Sequence, residues 1–152
     1  MSFAAVRPDS WNFPLLLHVL GATVLVGVLA ASAVLLIVSL RADDRAAAVR
    51  FAFRTILIGA IPAYLVMRVG AEWIADKENL TDSEAAWIGI GYSTADGGLL
   101  LIIITTVLAG LAARRARRGG QPTGLIRWTY GLTLLLIAAY AVALWAMATK
   151  PA

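Results

Sequence analysis

Apolar residues along the chain fall into four long runs separated by short polar segments. The runs cover about residues 13–40, 51–74, 94–113 and 128–149. An α-helix rises about 1.5 Å per residue, so roughly 20 residues cross the hydrocarbon core of a bilayer. Backbone groups in lipid must be satisfied within the segment, and the alternation of a β-barrel strand is missing from the sequence. The pattern predicts an all-α integral membrane protein, with residues 1–152 forming one transmembrane four-helix bundle.

The segment between the second and third runs, about residues 75–93, carries signals of its own. Thr81 and Glu84 have the spacing of a capping box, which satisfies free N–H groups at a helix start. We therefore expect a short helix through Trp87 that lies on the membrane surface. Small residues then predict a break before the third span, at Gly89, Gly91 and Ser93.

The charges of the connecting segments predict the orientation of the bundle. Residues 41–54 contain four Arg against two Asp, and the segment after residue 113 is rich in Arg with no acidic residue. Residues 72–96 contain six acidic residues and only Lys77 as a base. Since basic loops stay in the cytoplasm, both termini and the acidic segment are predicted to be extracytoplasmic.

Composition supports a membrane protein and excludes several function classes. Hydrophobic residues make up 61% of the chain and charged residues 14%, against about 45–50% and about 25% in soluble domains. The net charge of +4 resides mainly in the two basic loops, which does not indicate nucleic-acid binding. The chain has no cysteine, which excludes disulfides and thiolate metal sites, and we expect no metal. We expect a bacterial inner-membrane protein in contact with the lipid bilayer.

Small residues in the first two spans mark candidate helix contacts. Lipid provides no hydrophobic force between helices, so close packing of small residues drives their association. The candidates are Gly21, Gly27 and Ala31 in the first span and Gly59 beside Pro62 in the second. Pro62 is also expected to kink its helix. These residues could form a subunit interface or pack within the bundle, and the pattern favours the bundle.

Five polar residues are predicted to lie at similar depth in the outer leaflet. They are His18, Arg68, Glu72, Asp96 and Tyr140. Arg68 and Glu72 are four residues apart, which puts them on one helix face. Ionisable groups at membrane depth usually face a bundle interior or water, so the five could form a site. The alternative, which the sequence favours, is that they reach the interface or bond a neighbouring helix.

The stretch from Leu17 to Gly27, with His18, Gly21 and Gly27 at its key positions, resembles the first span of a group of bacterial membrane proteins. The group comprises copper-resistance D-like domains, related four-span families and the haem-binding membrane protoporphyrinogen oxidases. The resemblance covers one span of four and implies haem b with His18 as ligand and Arg68 near the propionates. Val26 stands where a tryptophan is frequent. The spans lack the lysine expected of the oxidases, so their enzymatic activity is not implied.

Three functions remain open from the sequence. The favoured hypothesis is a non-enzymatic accessory or structural protein that forms a homo-oligomer or joins a larger membrane complex. The second is a haem b or quinone redox protein. It needs another axial ligand, from a partner subunit or from a methionine such as Met147, because His18 is the only histidine. The third is a transporter or channel for a small solute.

Overall fold

The computed structural model describes residues 9–42, 44–79 and 85–149, and these residues are almost entirely helical. A 3₁₀ turn, Asp9–Trp11, leads into α1 (Asn12–Ser39). Helix α2 (Arg45–Thr55) continues through a π-helical turn (Ile56–Ala60) into α3 (Ile61–Lys77). Two long helices follow, α4 (Ala86–Arg117) and α5 (Thr123–Thr149).

Four helical stretches are long and apolar enough to cross a membrane, as the sequence predicts. They are Asp9–Ser39, Arg45–Lys77, Ala86–Arg117 and Thr123–Thr149. Each predicted span lies almost wholly within one of them, and all four stretches are longer than predicted, the second and third most clearly. The difference arises because hydropathy detects only the apolar part of a helix, whereas α4 includes Arg114, Arg115 and Arg117 in its last turn.

Consecutive spans lie side by side and run in opposite directions. Helix α1 packs against α2, α3 and α5, and α4 packs against α5 and α2. The four spans therefore form a ring in chain order, closed by the contact of α1 with α5. We call the end where α3 stops and α4 starts the acidic end, and the opposite end, which carries the Arg-rich connections, the basic end.

A regular pairing of small and large residues joins α4 to α5. A Cβ atom added to Gly91 would lie 2.9 Å from the Met147 methyl group, and one added to Gly98 would lie 2.5 Å from Tyr140 Oη. Both contacts fit one antiparallel register, because seven residues forward along α4 match seven residues back along α5. The same register pairs the buried residues Ile102 with Leu136, Thr105 with Thr133, and Ala112 with Ile126.

The break predicted before the third span is wrong. Helix α4 begins at Ala86 and continues without interruption through Gly89, Gly91 and Ser93. A glycine inside a helix costs only about 1 kcal/mol relative to alanine, and at Gly91 it makes room for Met147. The capping residues Thr81 and Glu84 lie outside the described residues.

The second span changes its hydrogen bonding just before Pro62, where the sequence predicts a kink. The Ile61 N–H bonds the Ile56 carbonyl, which is the five-residue step of a π-turn. Pro62 has no N–H to donate and therefore cannot continue the α-helical pattern of bonds. Its side chain is exposed and does not pack inside the bundle.

Candidate functional site

Two glycines bring α1 and α3 into backbone contact near the acidic end. A Cβ atom on Gly21 would clash with the Met67 backbone, and one on Gly70 would clash with the His18 backbone. Farther along the same pair of spans, a Cβ on Gly59 would lie 2.9 Å from the Val28 side chain. Gly21 and Gly59 therefore lie at contacts within the bundle.

Gly27 and Ala31 do not pack within the bundle, contrary to the interpretation that the sequence favours. Both are exposed, and no atom lies within 4 Å of a Cβ placed on Gly27. Successive helical residues are about 100° apart, so Gly27 is turned roughly 240° from Gly21. The two glycines therefore face different surroundings.

His18 bonds the neighbouring helix at the crossing of α1 and α3. Its Nδ1 lies 3.1 Å from the Met67 carbonyl oxygen. Because a carbonyl can only accept, Nδ1 is the protonated nitrogen and donates in this contact. The ring is half-buried. The bond joins two spans and fixes the side chain of the only histidine.

Arg68 joins α3 to α4 through two carboxylates. Its Nη2 lies 2.9 Å from Glu72 Oε1, one turn along α3, and 3.1 Å from Asp96 Oδ1 on α4. The Arg68 side chain is 27% exposed and that of Asp96 is 68% exposed. The Arg68 side chain is therefore largely covered, while the carboxylate of Asp96 is exposed at the surface of the bundle.

Tyr92 completes this group, although it is not among the five polar residues that the sequence pattern indicates. Its hydroxyl donates to Glu72 Oε2 at 3.2 Å, and the Arg68 guanidinium carbon lies 5.1 Å from the centre of its ring. Tyr92 precedes Asp96 by one helical turn, and this spacing is the signal that could have identified it. We call Arg68, Glu72, Tyr92 and Asp96 the polar cluster.

Tyr64 and Tyr140 lie in the core beside the polar cluster. The Tyr64 hydroxyl donates to the Ala95 carbonyl at 3.1 Å, which forms another link from α3 to α4. Tyr140 is 6% exposed and belongs to the same buried group of side chains as Tyr64. Its hydroxyl lies against Gly98 and has no hydrogen-bond partner among the described residues.

The structure thus brings together three of the five polar residues that the sequence places at one depth. Arg68, Glu72 and Asp96 are in direct contact. The bond of His18 runs to a backbone carbonyl at the α1–α3 crossing, and Tyr140 points at α4 from α5. Shared depth is correct for these two residues, but their helix faces separate them from the ion pairs.

The contacts of the expected haem residues limit where a haem b could lie. The backbones of α1 and α3 touch at His18, which leaves no space for a porphyrin between these two helices. The Nε2 atom of the half-buried ring keeps its lone pair. Arg68, the expected propionate partner, is already paired with two carboxylates. Met147 packs over Gly91 of α4. Within the described ranges, no group of three or more His, Cys, Asp or Glu could hold a metal ion.

Comparison with protein families, with curated proteins and with solved structures finds no significant match to this chain. The resemblance of the first span to haem-binding membrane proteins therefore stays a prediction from the sequence.

Proposed function

We propose that this multi-pass membrane protein acts by association, with itself or within a larger membrane complex, through an exposed face of α1. The observation that carries the proposal is the exposure of Gly27 and Ala31, which form a small-x-x-x-small pair directed away from the bundle. Such pairs let the backbones of two membrane helices approach closely.

The surroundings of this pair have the shape of a helix-docking surface. Thr23, Gly27 and Ala31 are exposed in the middle of α1. Larger apolar residues are exposed on the same helix towards its two ends, namely Leu16, Leu20, Val34 and Val38. The small residues make a shallow depression between bulky side chains, and a second helix crossing there would cover apolar surface at both ends.

Replacing Gly27 with leucine is expected to weaken self-association by roughly tenfold or more, which corresponds to about 1.4 kcal/mol, since the new side chain would hold the two helix backbones apart. The fold should persist, because no atom of the bundle lies near the new side chain. Energy transfer between two labelled populations in proteoliposomes, measured as lipid is added, gives the dissociation constant.

Gly131 provides the matched control for this experiment. It is also an exposed helical glycine with no atom within 4 Å of an added Cβ, but Leu135 stands four residues later in place of a small residue. Gly131→Leu should leave association unchanged. Equal association of wild-type protein and Gly27→Leu would contradict an interface at this face.

The proposal includes an orientation, with the basic end in the cytoplasm and both termini outside. It rests on the Arg-rich connections at one end and the acidic residues at the other. The absence of cysteine makes single-cysteine labelling straightforward. A membrane-impermeant thiol reagent added to intact cells is expected to label Asp76→Cys, and to label Gln121→Cys only after permeabilisation. The reverse pattern would show the inverted topology.

The redox and transport hypotheses stay predictions from the sequence. The cluster that each would use is engaged in contacts between α3 and α4, where Arg68, Glu72 and Asp96 satisfy one another. These contacts suit a packing role in an associating protein.

A further inference from the structure

Tyr140 presents a buried hydroxyl that lacks a protein partner. The residue is 6% exposed, and its Oη atom makes no hydrogen bond within the described part of the chain. Four other buried hydroxyl groups reach backbone carbonyls, namely those of Ser39, Tyr64, Thr106 and Thr133, and only Thr105 shares the unpaired state of Tyr140 among the described residues. A hydroxyl left unpaired in an apolar interior is costly, so buried hydroxyls normally bond either protein or ordered water.

The Tyr140 hydroxyl lies at the level of the polar cluster. It lies against Gly98, whose missing side chain leaves the space that the phenol occupies. Gly98 follows Asp96 by two residues, which is about 3 Å of helical rise and about 200° of rotation, so the two residues share a level but face different sides of α4. Tyr64 belongs to the same buried group as Tyr140 and donates to the Ala95 carbonyl at this level.

Side chains rather than close backbone packing connect α3 to α4 at this level. The two helices approach each other closely at few positions, whereas α2 packs along α4. Long polar groups bridge the interval, through Arg68 with Asp96, Tyr92 with Glu72, and Tyr64 with the Ala95 carbonyl. Water can enter between α3 and α4 along these polar groups at the acidic end, whereas an apolar contact between the helices would exclude it.

On the side of Tyr140 that faces the basic end, apolar side chains close the interior of the bundle. Ile102 follows Gly98 by one turn of α4, and the register places Leu136 of α5 beside it. Both side chains are completely buried. This apolar layer limits the entry to the part of the bundle near the acidic end.

We propose that water enters between α3 and α4 from the acidic end and that an ordered water molecule bonds the Tyr140 hydroxyl. A buried water needs two to four polar partners. Tyr140 supplies one, and the Tyr64 oxygen of the same buried group is a second, because it donates its proton to the Ala95 carbonyl and keeps its lone pairs to accept. This site is separate from the exposed face of α1 and does not depend on association of the protein.

Paired substitutions of the two tyrosines test the proposal. Tyr64→Phe removes a hydroxyl with a known acceptor and is expected to lower the Tm of the purified protein. Tyr140→Phe makes the same chemical change in the same buried group, and a water-bonded hydroxyl should give a fall in Tm of similar size. An unchanged or raised Tm for Tyr140→Phe would mean that the hydroxyl is dry and would overturn the proposal.

Thiol accessibility provides a second measurement on the full chain. Ala95 and Ala109 lie on the buried face of α4, on opposite sides of the Ile102 layer. In proteoliposomes with a small charged methanethiosulfonate on both sides, Ala95→Cys should be labelled and Ala109→Cys should stay unlabelled until the protein is denatured. The proposal requires both this pattern and the fall in Tm, so protection of Ala95→Cys would also overturn it.

Discussion

Gly70→Leu is expected to prevent α1 and α3 from packing and to give a large loss of stability. The new side chain would start inside the backbone of His18, with the Pro14 carbonyl oxygen 2.9 Å from its Cβ. Overpacking of a well-packed core costs about 1–3 kcal/mol. Because backbone atoms rather than flexible side-chain ends are in the way here, we expect about 3 kcal/mol or more.

Tryptophan fluorescence during thermal unfolding in detergent can report this loss. Trp73 packs edge-on against Phe13 of α1, with ring centres 5.8 Å apart, and so senses the same crossing. Gly97→Leu is the control, because Gly97 is exposed on α4 and has no atom within 4 Å of an added Cβ. A wild-type Tm for Gly70→Leu would show that the helices do not cross as described.

Arg68→Met is expected to give a smaller loss, about 1–2 kcal/mol. The substitution leaves Glu72 and Asp96 without their shared cation. Charge-assisted hydrogen bonds are worth about 1.5–3 kcal/mol, and the exposure of the two carboxylates reduces that value. Arg54→Met in the same span is the matched control, since Arg54 is exposed near the basic end and should change the Tm little.

A double-mutant cycle assigns the loss to the bridge between α3 and α4. If Arg68 acts through Asp96, Asp96→Asn should cost much less in the Arg68→Met background than in the wild-type protein. Strictly additive Tm changes would contradict the bridge and would reduce Arg68 to a partner of Glu72 within α3.

The number and approximate positions of the spans could be predicted because hydropathy depends only on composition along the chain. The ends of the helices could not be predicted in this way, since Arg114 and Arg117 lie in a polar last turn that extends α4 beyond its apolar part. Gly91 illustrates a different limit. Glycine by itself favours a break in a helix, but at Gly91 the absence of a side chain makes room for the Met147 methyl group of α5.

For the candidate site, the level of each residue along the bundle could be predicted, but the rotation of each helix about its axis could not. The pairing of Arg68 with Glu72 follows from their spacing on one helix, and Asp96 follows from the shared level. The faces of His18 and Tyr140 depend on how each helix is turned about its axis, which the apolar pattern leaves open because nearly every side of a membrane helix is hydrophobic. Gly27 was misassigned for the same reason.

The fixed pairing along α4 and α5 restricts how this bundle can move. Sliding α5 by one turn towards the basic end would put Tyr140 opposite the buried Ile102 instead of Gly98, and the two bulky side chains would clash. Piston-like displacement of α5 in that direction is therefore opposed. Bending is the alternative, and the π-turn at Ile56–Ala60 is where the second span already departs from regular α-helical bonding.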